Sequence, residues 1–483
     1  MRVLFATPEC APLIKVGGLG EVSSALPKAL CASGIDARVL LPGYPSVLGV
    51  LRNPRQVARL ELLDPPIEVR LLETELPSGV PLIVVNSPSL YTRAGGPYQD
   101  GNGEDWSDNA LRFGVFSKVA AILGGSSSPL RWHPDVVHCN DWPVGLAPLY
   151  LHQVPHPRAA TIMTVHNLAF QGNFAPDLVP SLGLPPSSFG MEGLEFHGRM
   201  SFLKAGLVFS DALTTVSPNY AREIQSEPLG FGLEGLLRHR AESLTGILNG
   251  IDTAVWNPET DPYIERRYSS ATLDHKPVNK APLQRRLGLT LEPDVPLFGV
   301  VSRLTHQKGI DILAEAAGRL VDIPAQLAVL GTGERKLGEA LRAVAERHRG
   351  SVAAVLGYDE ALAHQFEAGI DMFLMPSRFE PCGLTQMYSQ CYGTPPVAHA
   401  TGGLVDTIVD FDPDAPRVSG ATGFLFRELS PATLVSAAAR AAGLYRDRSR
   451  WRELQRNGMQ RDFGWDAAVR QYERVYRKAA RLE

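Results

Sequence analysis

Short apolar runs rich in β-branched residues recur along the chain and alternate with stretches of helical periodicity. In the first half, such runs predict strands at Val3–Ala6, Ala37–Leu41, Leu82–Val85, Val136–His138, Thr161–Val165 and Ala212–Val216. Helical patterns lie between several of them, as at Val22–Ala32 and Asn109–Leu123. Because apolar strands separated by helices are typical of βαβ units, this half predicts a parallel sheet covered by helices on both faces.

The same alternation starts again in the second half of the chain. Further strands are predicted at Leu297–Ser302, Leu327–Leu330, Val352–Leu356, Met372–Met375 and Pro396–His399. Two α/β series in one chain predict two Rossmann-like domains. Their boundary is expected between Gly246 and Pro296, since the Asn249-Gly250 turn signal and several prolines fall there.

Composition narrows the class of protein. The chain has 483 residues, of which 44% are hydrophobic and 20% charged, so it is long enough for two to four folded domains. A net charge of -4 argues against nucleic acid as a partner. No apolar stretch approaches the roughly 18 residues of a membrane span. The five cysteines are scattered without a CxxC pair, which favours a reducing compartment, and we expect a cytoplasmic protein.

A glycine-rich loop follows the first predicted strand. It reads Lys15-Val16-Gly17-Gly18-Leu19-Gly20 and precedes a helical pattern. Adjacent glycines let backbone N–H groups approach an anion, and the N-terminus of the following helix favours negative charge. The loop matches neither the G-x-G-x-x-G fingerprint of nicotinamide enzymes nor the Walker A motif. By itself it is equally consistent with a plain strand-to-helix turn, although Lys15 favours the anion site.

Two cations follow the first strand of the second series. Arg303 and Lys308 lie in the loop Ser302–Gly309, at the carboxyl end of a strand, where open α/β sheets bind ligands. A planar guanidinium and a compact ammonium together suit a diphosphate. Lys308 is also one of only nine lysines in the chain. The alternative is a loop whose charges are simply solvated.

A third motif follows the strand at Met372–Met375. Glu380 is expected at the edge of the sheet, with the amides of Gly383, Leu384 and Thr385 forming the start of a helix. Such an arrangement can hold a phosphate or sugar hydroxyls beside a carboxylate. Cys382 has no neighbouring histidine in sequence, so we expect a packed small side chain rather than a nucleophile.

Polar residues also end two strands of the first series, in His138–Trp142 and Thr164–Asn167. A histidine in such a place is more often a satisfied interior residue than a catalyst. A zinc site needs three or four ligands, which nothing in the sequence supplies, so no metal site is expected. The glycine pair Gly402-Gly403 follows the predicted strand Pro396–His399, at the same edge of its sheet.

Taken together, the motifs resemble the bacterial glycogen synthase and plant starch synthase family of retaining glycosyltransferases, over essentially the whole chain. The resemblance rests on K-x-G-G-L at Lys15–Leu19, L-Y-x-R-x-G-x-P-Y-x-D at Leu90–Asp100, D-N-x-x-R-F at Asp108–Phe113, N-D-W at Asn140–Trp142, T-V-H-N-L-A-F-Q-G at Thr164–Gly172, T-T-V-S-P at Thr214–Pro218, N-G-I-D-x-x-x-W-N-P at Asn249–Pro258, S-R-L-x-x-Q-K-G at Ser302–Gly309, P-S-R-F-E-P-C-G-L-T-Q at Pro376–Gln386 and T-G-G-L-x-D-T at Thr401–Thr407.

The resemblance implies the GT-B architecture, in which two Rossmann-like domains face each other across a cleft. The expected domains are residues 1–247 on the acceptor side, residues 248–460 with the nucleotide-sugar site, and a helix at 461–483 that crosses back to the first domain. The implied reaction transfers glucose from ADP-glucose to the non-reducing 4-hydroxyl of an α-1,4-glucan such as glycogen, with retention of configuration. Neither a metal nor pyridoxal phosphate is expected, nor a nucleic-acid or membrane partner.

The resemblance also assigns residues. The catalytic set that it implies is His166 beside the transferred glucose, Asp141 on the acceptor side, Arg303 and Lys308 on the diphosphate, and Glu380 facing the donor. The substrate-binding set is Lys15, Gly17 and Gly18 near the phosphates and glucose, Tyr98 and Asn167 on the acceptor and sugar side, Asn249, Cys382, Gly383, Leu384 and Thr385 on the donor, and Tyr358 stacked on the base.

Two positions depart from related patterns. Glu21 stands where the family usually has aspartate, and Tyr388 stands where other retaining transferases have a second glutamate, which the starch synthase type also lacks. Retention is compatible with a covalent intermediate or with front-face attack, and we favour the latter.

Three other functions remain as alternatives at this stage. The first is a UDP-glucose-dependent transferase, because the residues that contact the base are not fixed by the motifs. The second is a phosphorylase of similar shape. It needs a lysine deep in the second domain to hold pyridoxal phosphate, whereas no lysine lies between Lys336 and Lys478. The third is a glucan-binding protein without activity, which the intact Lys15, Arg303, Lys308 and Glu380 disfavour.

Overall fold

The computed structural model describes residues 1–415, 418 and 420–482. The chain forms two compact units, Met1–Gly250 with Trp465–Glu483, and Ile251–Gly464. The first unit therefore extends slightly past the expected boundary at residue 247, and Asn249 belongs to it rather than to the second. The chain returns to the first unit at Trp465, a few residues after the expected position 461.

The strands of the first unit are Arg2–Ala6 (β1), Asp36–Pro42 (β2), Arg55–Leu62 (β3), Ile67–Glu75 (β4), Pro81–Asn86 (β5), Val136–Asn140 (β6), Ala160–Val165 (β7), Asn173–Phe174 (β8), Glu195–Phe196 (β9), Arg199–Ser201 (β10), Ala212–Thr215 (β11) and Leu244–Gly246 (β12). The main sheet has the order β12-β11-β7-β6-β1-β2-β5-β4-β3, and β8, β10 and β9 form a small separate sheet. Strand β1 lies between β2 and β6, so Phe5 pairs with both Val39 and His138.

The prediction of a parallel sheet in the first half is wrong at one edge of the main sheet. Strands β3, β4 and β5 pair antiparallel, so the sheet is mixed rather than wholly parallel. In β4, Val69 and Leu71 are buried, whereas Glu68 lies on the solvent face and forms an ion pair with Arg59 of β3 at 2.9 Å. This alternation of apolar and charged side chains is typical of a half-exposed strand, which a search for continuous apolar runs does not detect.

Helices cover the parallel part of the first sheet. Their bounds are Gly18–Ala32 (α1), Pro45–Leu48 (α2), Pro88–Tyr91 (α3), Asn109–Gly124 (α4), Leu146–His152 (α5), Phe202–Phe209 (α6), Pro218–Glu223 (α7) and Glu234–His239 (α8). Short 3₁₀ turns occur at Trp142–Val144, Pro176–Leu178, Pro180–Leu182, Pro186–Ser188 and Ala241–Ser243.

The second unit contains a parallel sheet. Its strands are Leu297–Val301 (β13), Gln326–Gly331 (β14), Val352–Leu356 (β15), Met372–Met375 (β16), Pro396–His399 (β17) and Phe424–Phe426 (β18). A 3₁₀ turn spans Leu273–Asn279, and the helices are Lys280–Leu287 (α9), Ile310–Val321 (α10), Arg335–Arg347 (α11), Glu360–Gly369 (α12), Thr385–Cys391 (α13), Gly403–Thr407 (α14), Pro431–Arg446 (α15) and Arg448–Met459 (α16). The order β15-β14-β13-β16-β17-β18 is that of a Rossmann sheet, with its crossover point between β13 and β16.

The last helix belongs to the first unit. It spans Asp466–Ala480 (α17), and its buried face carries Val469, Tyr472 and Tyr476. The Tyr476 hydroxyl lies 2.7 Å from Nδ1 of His138, a fully buried interior side chain of β6. The arginine-rich C-terminal stretch is thus divided between α16, whose Trp451 packs in the core of the second unit, and α17. None of the described helices is long and apolar enough to cross a membrane.

Candidate active site

The crossover point of the second sheet brings two loops together. The loop after β13 contains Arg303 and Lys308, and the loop after β16 contains Glu380. Because β13 and β16 are parallel neighbours, both loops leave the same edge of the sheet. Ligands of open α/β sheets bind at such a point.

Lys308 and Glu380 form an ion pair there. The Lys308 Nζ atom lies 2.5 Å from Glu380 Oε2, which also accepts a hydrogen bond of 3.0 Å from the Ser377 hydroxyl. Only 6% of the Glu380 surface is exposed. A carboxylate this buried keeps its charge at low cost only when such partners accompany it, so the lysine and the glutamate fix each other's position.

The backbone at Gly309 makes this approach possible. Gly309 has φ +66°, and a Cβ atom there would lie 1.9 Å from the carbonyl oxygen of Pro376. Any other residue at this position would push the loop after β13 away from the loop after β16. The glycine that ends the S-R-L-x-x-Q-K-G motif is therefore required for the contact between Lys308 and Glu380.

A second connection between the two loops involves Arg378, a residue to which sequence reasoning gave no role. Its guanidinium binds both carboxylate oxygens of Asp311, in the first turn of α10, at 2.8 and 2.7 Å. It also donates to the carbonyl of His306 at 2.6 Å, and its backbone N–H donates to the carbonyl of Gln307 at 2.8 Å. Hydrogen bonding to this guanidinium lowers the pKa of Asp311. Arg378 thus connects the loop after β16 to the loop that contains Lys308 and to the start of α10.

The glycine pair Gly402-Gly403 supports the Glu380 turn from the other side. The N–H of Gly403 donates to the carbonyl of Glu380 at 3.0 Å, and a Cβ atom at Gly402, where φ is +47°, would lie 1.9 Å from the same oxygen. A Cβ atom at Gly403 would lie 2.1 Å from the carbonyl oxygen of Cys382. The pair is therefore needed for close backbone packing behind the glutamate.

The segment from Cys382 to Thr385 is also held by a buried glutamine. The Gln386 amide donates to the carbonyls of Cys382 and Gly383, each at 3.0 Å, and to the hydroxyl of Thr407 at 3.1 Å. Helix α13 begins at Thr385, directly after Leu384. Cys382 is buried, as expected for a packed side chain. The predicted donor-binding segment thus lies beside Glu380 in a fixed conformation.

The remaining donor-side residues lie at the same edge of the second sheet. Arg303 is half-buried directly after β13. Tyr358 follows β15, is 65% exposed, and its hydroxyl contacts Glu360. A cavity of about 320 Å³, which the sequence did not indicate, lies at the carboxyl ends of β13, β14 and β15. Its walls include Leu304, the glycine-containing turn at 331–333, Arg342 and Leu356.

Asp141 is the central carboxylate of the first unit. It follows β6 with φ 58° and ψ -179°, a backbone region in which non-glycine residues are strained. Its Oδ1 atom accepts the N–H of His166 at 2.7 Å. Burial raises the pKa of Asp141 to about 7. Hydrogen bonds from the backbone N–H groups of His166 and Asn167 lower the pKa, but by less than burial raises it. Strain and a shifted pKa at one residue are typical of a functional site.

His166 follows β7 and lies beside Asp141. Its Nε2 atom is 2.9 Å from Oδ1 of Asn140, and the NH₂ group of the same Asn140 side chain donates to the carbonyl of Ala6 at 3.0 Å. Burial lowers the pKa of His166 to about 3, so the ring is neutral near pH 7. Because an amide oxygen only accepts, the proton of the neutral ring is assigned to Nε2, and Nδ1 carries the lone pair.

The glycine loop of the first unit is closed by a carboxylate from Glu9, which follows β1. Glu9 Oε2 accepts the N–H groups of Val16 and Gly17 at 2.6 and 3.1 Å. Its Oε1 accepts the hydroxyl of Tyr98 at 2.6 Å. The anion that meets the Gly17 amide is thus part of the protein, which the sequence pattern did not indicate. Lys15, at the start of this loop, forms an ion pair with Glu21 in the first turn of α1.

Each unit therefore assembles its own group of predicted residues. In the first, Asp141, His166 and Asn167 share hydrogen bonds, and Glu9 links Tyr98 to the Lys15 loop. Asn249 is buried at the end of this unit, and its side-chain oxygen has no recorded partner in the described part of the chain. Among the described residues, no group of three histidine, cysteine or acidic side chains is arranged to bind a metal ion.

Comparisons with known proteins identify the family. Residues 2–239 match the model of the starch synthase catalytic domain, and residues 287–458 match that of glycosyl transferases group 1. A glycogen synthase from Nitrosospira multiformis is 55% identical over 480 residues, which cover 99% of this chain and 97% of the relative. One from Paramagnetospirillum magneticum is 50% identical over 482 residues, with 99% and 97% coverage.

Solved structures agree with this assignment. The catalytic domain of starch synthase IV from Arabidopsis thaliana, bound to ADP and acarbose, superposes with a TM-score of 0.90 at 31% identity and covers 99% of both chains. A sucrose-phosphate synthase from Thermosynechococcus elongatus reaches a TM-score of 0.61 at 17% identity over the full length of both chains, a likeness of fold alone. The fold is that of GT-B glycosyltransferases, and the chain belongs to the glycogen and starch synthase family.

Proposed function

We propose that this enzyme transfers glucose from ADP-glucose to the 4-hydroxyl at the non-reducing end of an α-1,4-glucan, with retention of configuration. The observation that carries the proposal is the Lys308–Glu380 pair at the crossover point of the second sheet, in which Lys308 comes from the loop that also contains Arg303. Full-length identity of 55% to a glycogen synthase supports it, as does the likeness to a starch synthase described with ADP and acarbose.

Arg303 and Lys308 act on the diphosphate in this proposal. Cleavage of the bond between glucose and the nucleotide leaves negative charge on the departing ADP, and two fixed cations stabilise that charge as it develops. Lys308 is already oriented by Glu380, so little reorganisation is needed during the reaction. Lys15 of the first unit adds a third cation near the phosphates.

Glu380 and the segment after it act on the donor glucose. The carboxylate accepts sugar hydroxyls, and the amides of Gly383, Leu384 and Thr385 donate to the phosphate or sugar. Gln386 supports this role, because it donates to the carbonyls of Cys382 and Gly383 and so fixes the backbone of this segment. Its hydrogen bonds do not use the N–H groups of Gly383, Leu384 and Thr385. The base of the nucleotide stacks on Tyr358 in our proposal, next to the cavity of about 320 Å³.

Asp141, His166, Asn167 and Tyr98 act on the acceptor and on the transferred glucose. A pKa of about 7 lets Asp141 exist in the ionised form under neutral conditions, in which it orients the attacking hydroxyl. The neutral ring of His166 presents a hydrogen-bonding atom rather than a positive charge to the glucose. A cation at this position would repel the oxocarbenium-like charge of the transition state.

Retention proceeds by front-face attack in this proposal. A double displacement requires a free carboxylate behind the anomeric carbon, whereas Glu380 is engaged by Lys308 and Ser377, and Asp141 by the backbone of His166. The test is intact-protein mass spectrometry after incubation with donor in the absence of acceptor. We expect an unchanged mass, and a glucosyl adduct on either carboxylate would refute front-face attack.

The donor is tested by turnover with ADP-glucose and with UDP-glucose on the same glycogen acceptor, following nucleotide release. We expect faster turnover with ADP-glucose, and faster use of UDP-glucose would reassign the donor. The Lys308→Ala variant is the matched control, since background hydrolysis persists in it while enzymatic transfer is strongly reduced.

We also propose that no metal ion or pyridoxal phosphate takes part, because Arg303 and Lys308 already supply positive charge at the diphosphate. Activity after dialysis against a chelator should equal that before dialysis. A loss that magnesium restores would contradict this. The five free cysteines favour the reducing cytoplasm as the location of the enzyme, and the reaction needs neither a nucleic acid nor a membrane.

A further inference from the structure

Glu9 is a buried carboxylate that the assigned reaction does not use. Only 4% of its surface is exposed, and no ion pair to it is recorded within the described residues. Its three hydrogen bonds all come from neutral donors, which are two backbone N–H groups and one hydroxyl. Burying a carboxylate is costly unless several donors accompany it. The positions of Glu9, of the two loop amides and of the Tyr98 hydroxyl therefore depend on one another.

The backbone of Glu9 is fixed as well. The Thr7 hydroxyl donates to the Glu9 carbonyl at 2.9 Å and lies 2.8 Å from the hydroxyl of Ser23, in α1. Through Thr7, the backbone of Glu9 is thus linked to helix α1, which follows the glycine loop.

The donors to Glu9 belong to two separate candidate segments. Val16 and Gly17 lie in the loop that carries Lys15, and Tyr98 lies 89 positions along the chain from Glu9. One carboxylate therefore sets the distance between the lysine loop and Tyr98. Because the amides of Val16 and Gly17 already donate to Glu9, these two backbone groups are engaged within the first unit and fix the start of the Lys15 loop.

We propose that Glu9 is a positioning residue for glucosyl transfer, which holds the Lys15 loop and Tyr98 in the arrangement that the reaction requires. The proposal rests on the proposed function. It differs from a purely structural role, because it expects the loss of Glu9 to reduce turnover while the fold and the binding of nucleotide persist.

The principal test is the Glu9→Gln variant. Glutamine has the same shape, but its NH₂ group cannot accept the N–H bonds of Val16 and Gly17 while its oxygen keeps the bond from Tyr98. We expect kcat to fall at least tenfold, with the affinity for ADP by calorimetry within threefold and the thermal midpoint within a few degrees of wild type. The Glu73→Gln variant, in the edge hairpin of the same unit, is the control and should keep wild-type kinetics.

The Glu9→Asp variant provides a second, independent comparison. It keeps the charge but shortens the side chain by one methylene, so it can reach the loop amides or Tyr98 but not both. We expect its kcat to lie between those of wild type and Glu9→Gln. Should Glu9→Gln fail to fold, this variant decides, and wild-type kcat in folded Glu9→Asp would overturn the proposal.

Two further results would also overturn it. The first is a Glu9→Gln enzyme whose kcat lies within twofold of wild type. The second is an affinity for ADP that falls as much as kcat, since Glu9 would then act through nucleotide binding.

A readout without activity separates this proposal from the proposed function. Hydrogen exchange at the amides of Val16 and Gly17 should be slow in the wild type and at least tenfold faster in Glu9→Gln. Absence of glucosyl transfer by the wild type would refute the proposed function alone. Unchanged exchange at both amides would refute the positioning role, whatever the activity.

Discussion

Replacing Asp141 by asparagine separates the catalytic value of this carboxylate from its cost to stability. Asparagine keeps the shape and the oxygen that accepts the His166 N–H. It also tolerates positive φ at least as well as aspartate, so the strained backbone at φ 58° is not made worse. The substitution therefore removes little except the charge and the titration of the group.

The magnitude follows from the pKa. Burial raises the pKa of Asp141 from 3.8 to about 7, so the stability that this group contributes is complete below pH 3.8 and is lost as the pH rises through 7. At pH 8 the loss is about 4 kcal/mol at most, from about 1.4 kcal/mol per pKa unit. Because the side chain keeps some contact with solvent, we expect about 2–3 kcal/mol.

The assay is urea unfolding of both proteins at pH 5 and pH 8. We expect Asp141→Asn to be more stable than wild type by about 2–3 kcal/mol at pH 8 and by about 1 kcal/mol at pH 5, where the wild-type carboxyl is largely protonated. Turnover of the variant should fall by about a hundredfold, and the wild-type rate should rise with pH around 7. A variant that is less stable at both pH values, or equally stabilised at both, would refute the reasoning.

Three other predictions follow from the second unit. Lys308→Ala should lower kcat by about a hundredfold, about 2.7 kcal/mol, with folding preserved, and steady-state kinetics within twofold of wild type would remove it from the catalytic set. Arg378→Lys cannot bind Asp311 through two bonds, so we expect the KM for the donor to rise about tenfold; an unchanged KM would contradict this. Burial opposes protonation of His364, but hydrogen bonds and charges from Asp261 and a second carboxylate raise its pKa to about 9. The stability that the protonated ring adds to the fold is therefore complete below pH 6.5 and is lost as the pH rises through 9. The destabilisation caused by His364→Gln in urea unfolding should therefore be about 3 kcal/mol smaller at pH 10 than at pH 6, and a pH-independent value would contradict it.

Five of the six strands of the second sheet could be predicted from the sequence. Val352–Leu356, Met372–Met375 and Pro396–His399 begin and end as predicted. Strands buried on both faces are continuous apolar runs between turn residues, so their ends are visible in the pattern. The hairpin at Arg55–Leu62 and Ile67–Glu75 was missed because its side chains alternate between the core and solvent.

The candidate site was predicted unevenly, for a physical reason. Arg303, Lys308 and Glu380 lie in the loops that follow two neighbouring parallel strands, so the topology of the sheet brings these loops to one edge. Glu9 and Arg378 act through partners distant in sequence, at Tyr98 and Asp311. No local pattern contains such a contact, because it depends on how the loops fold over the sheet.

The backbone strain and the raised pKa at Asp141 also could not be predicted from the sequence. Both arise from the way in which the chain turns after β6 and from the burial that follows. The motif N-D-W indicated that the residue matters, but not that its carboxyl would titrate near neutral pH.

The account is tested most directly by the product of a single incubation with ADP-glucose and glycogen. Proton NMR of the newly added glucose, together with the amount of ADP released, measures both the linkage and the stoichiometry. We predict one ADP for each glucose added, in an α-1,4 linkage at the non-reducing end. Release of ADP without elongation, or a new β-linkage, would contradict the proposed reaction.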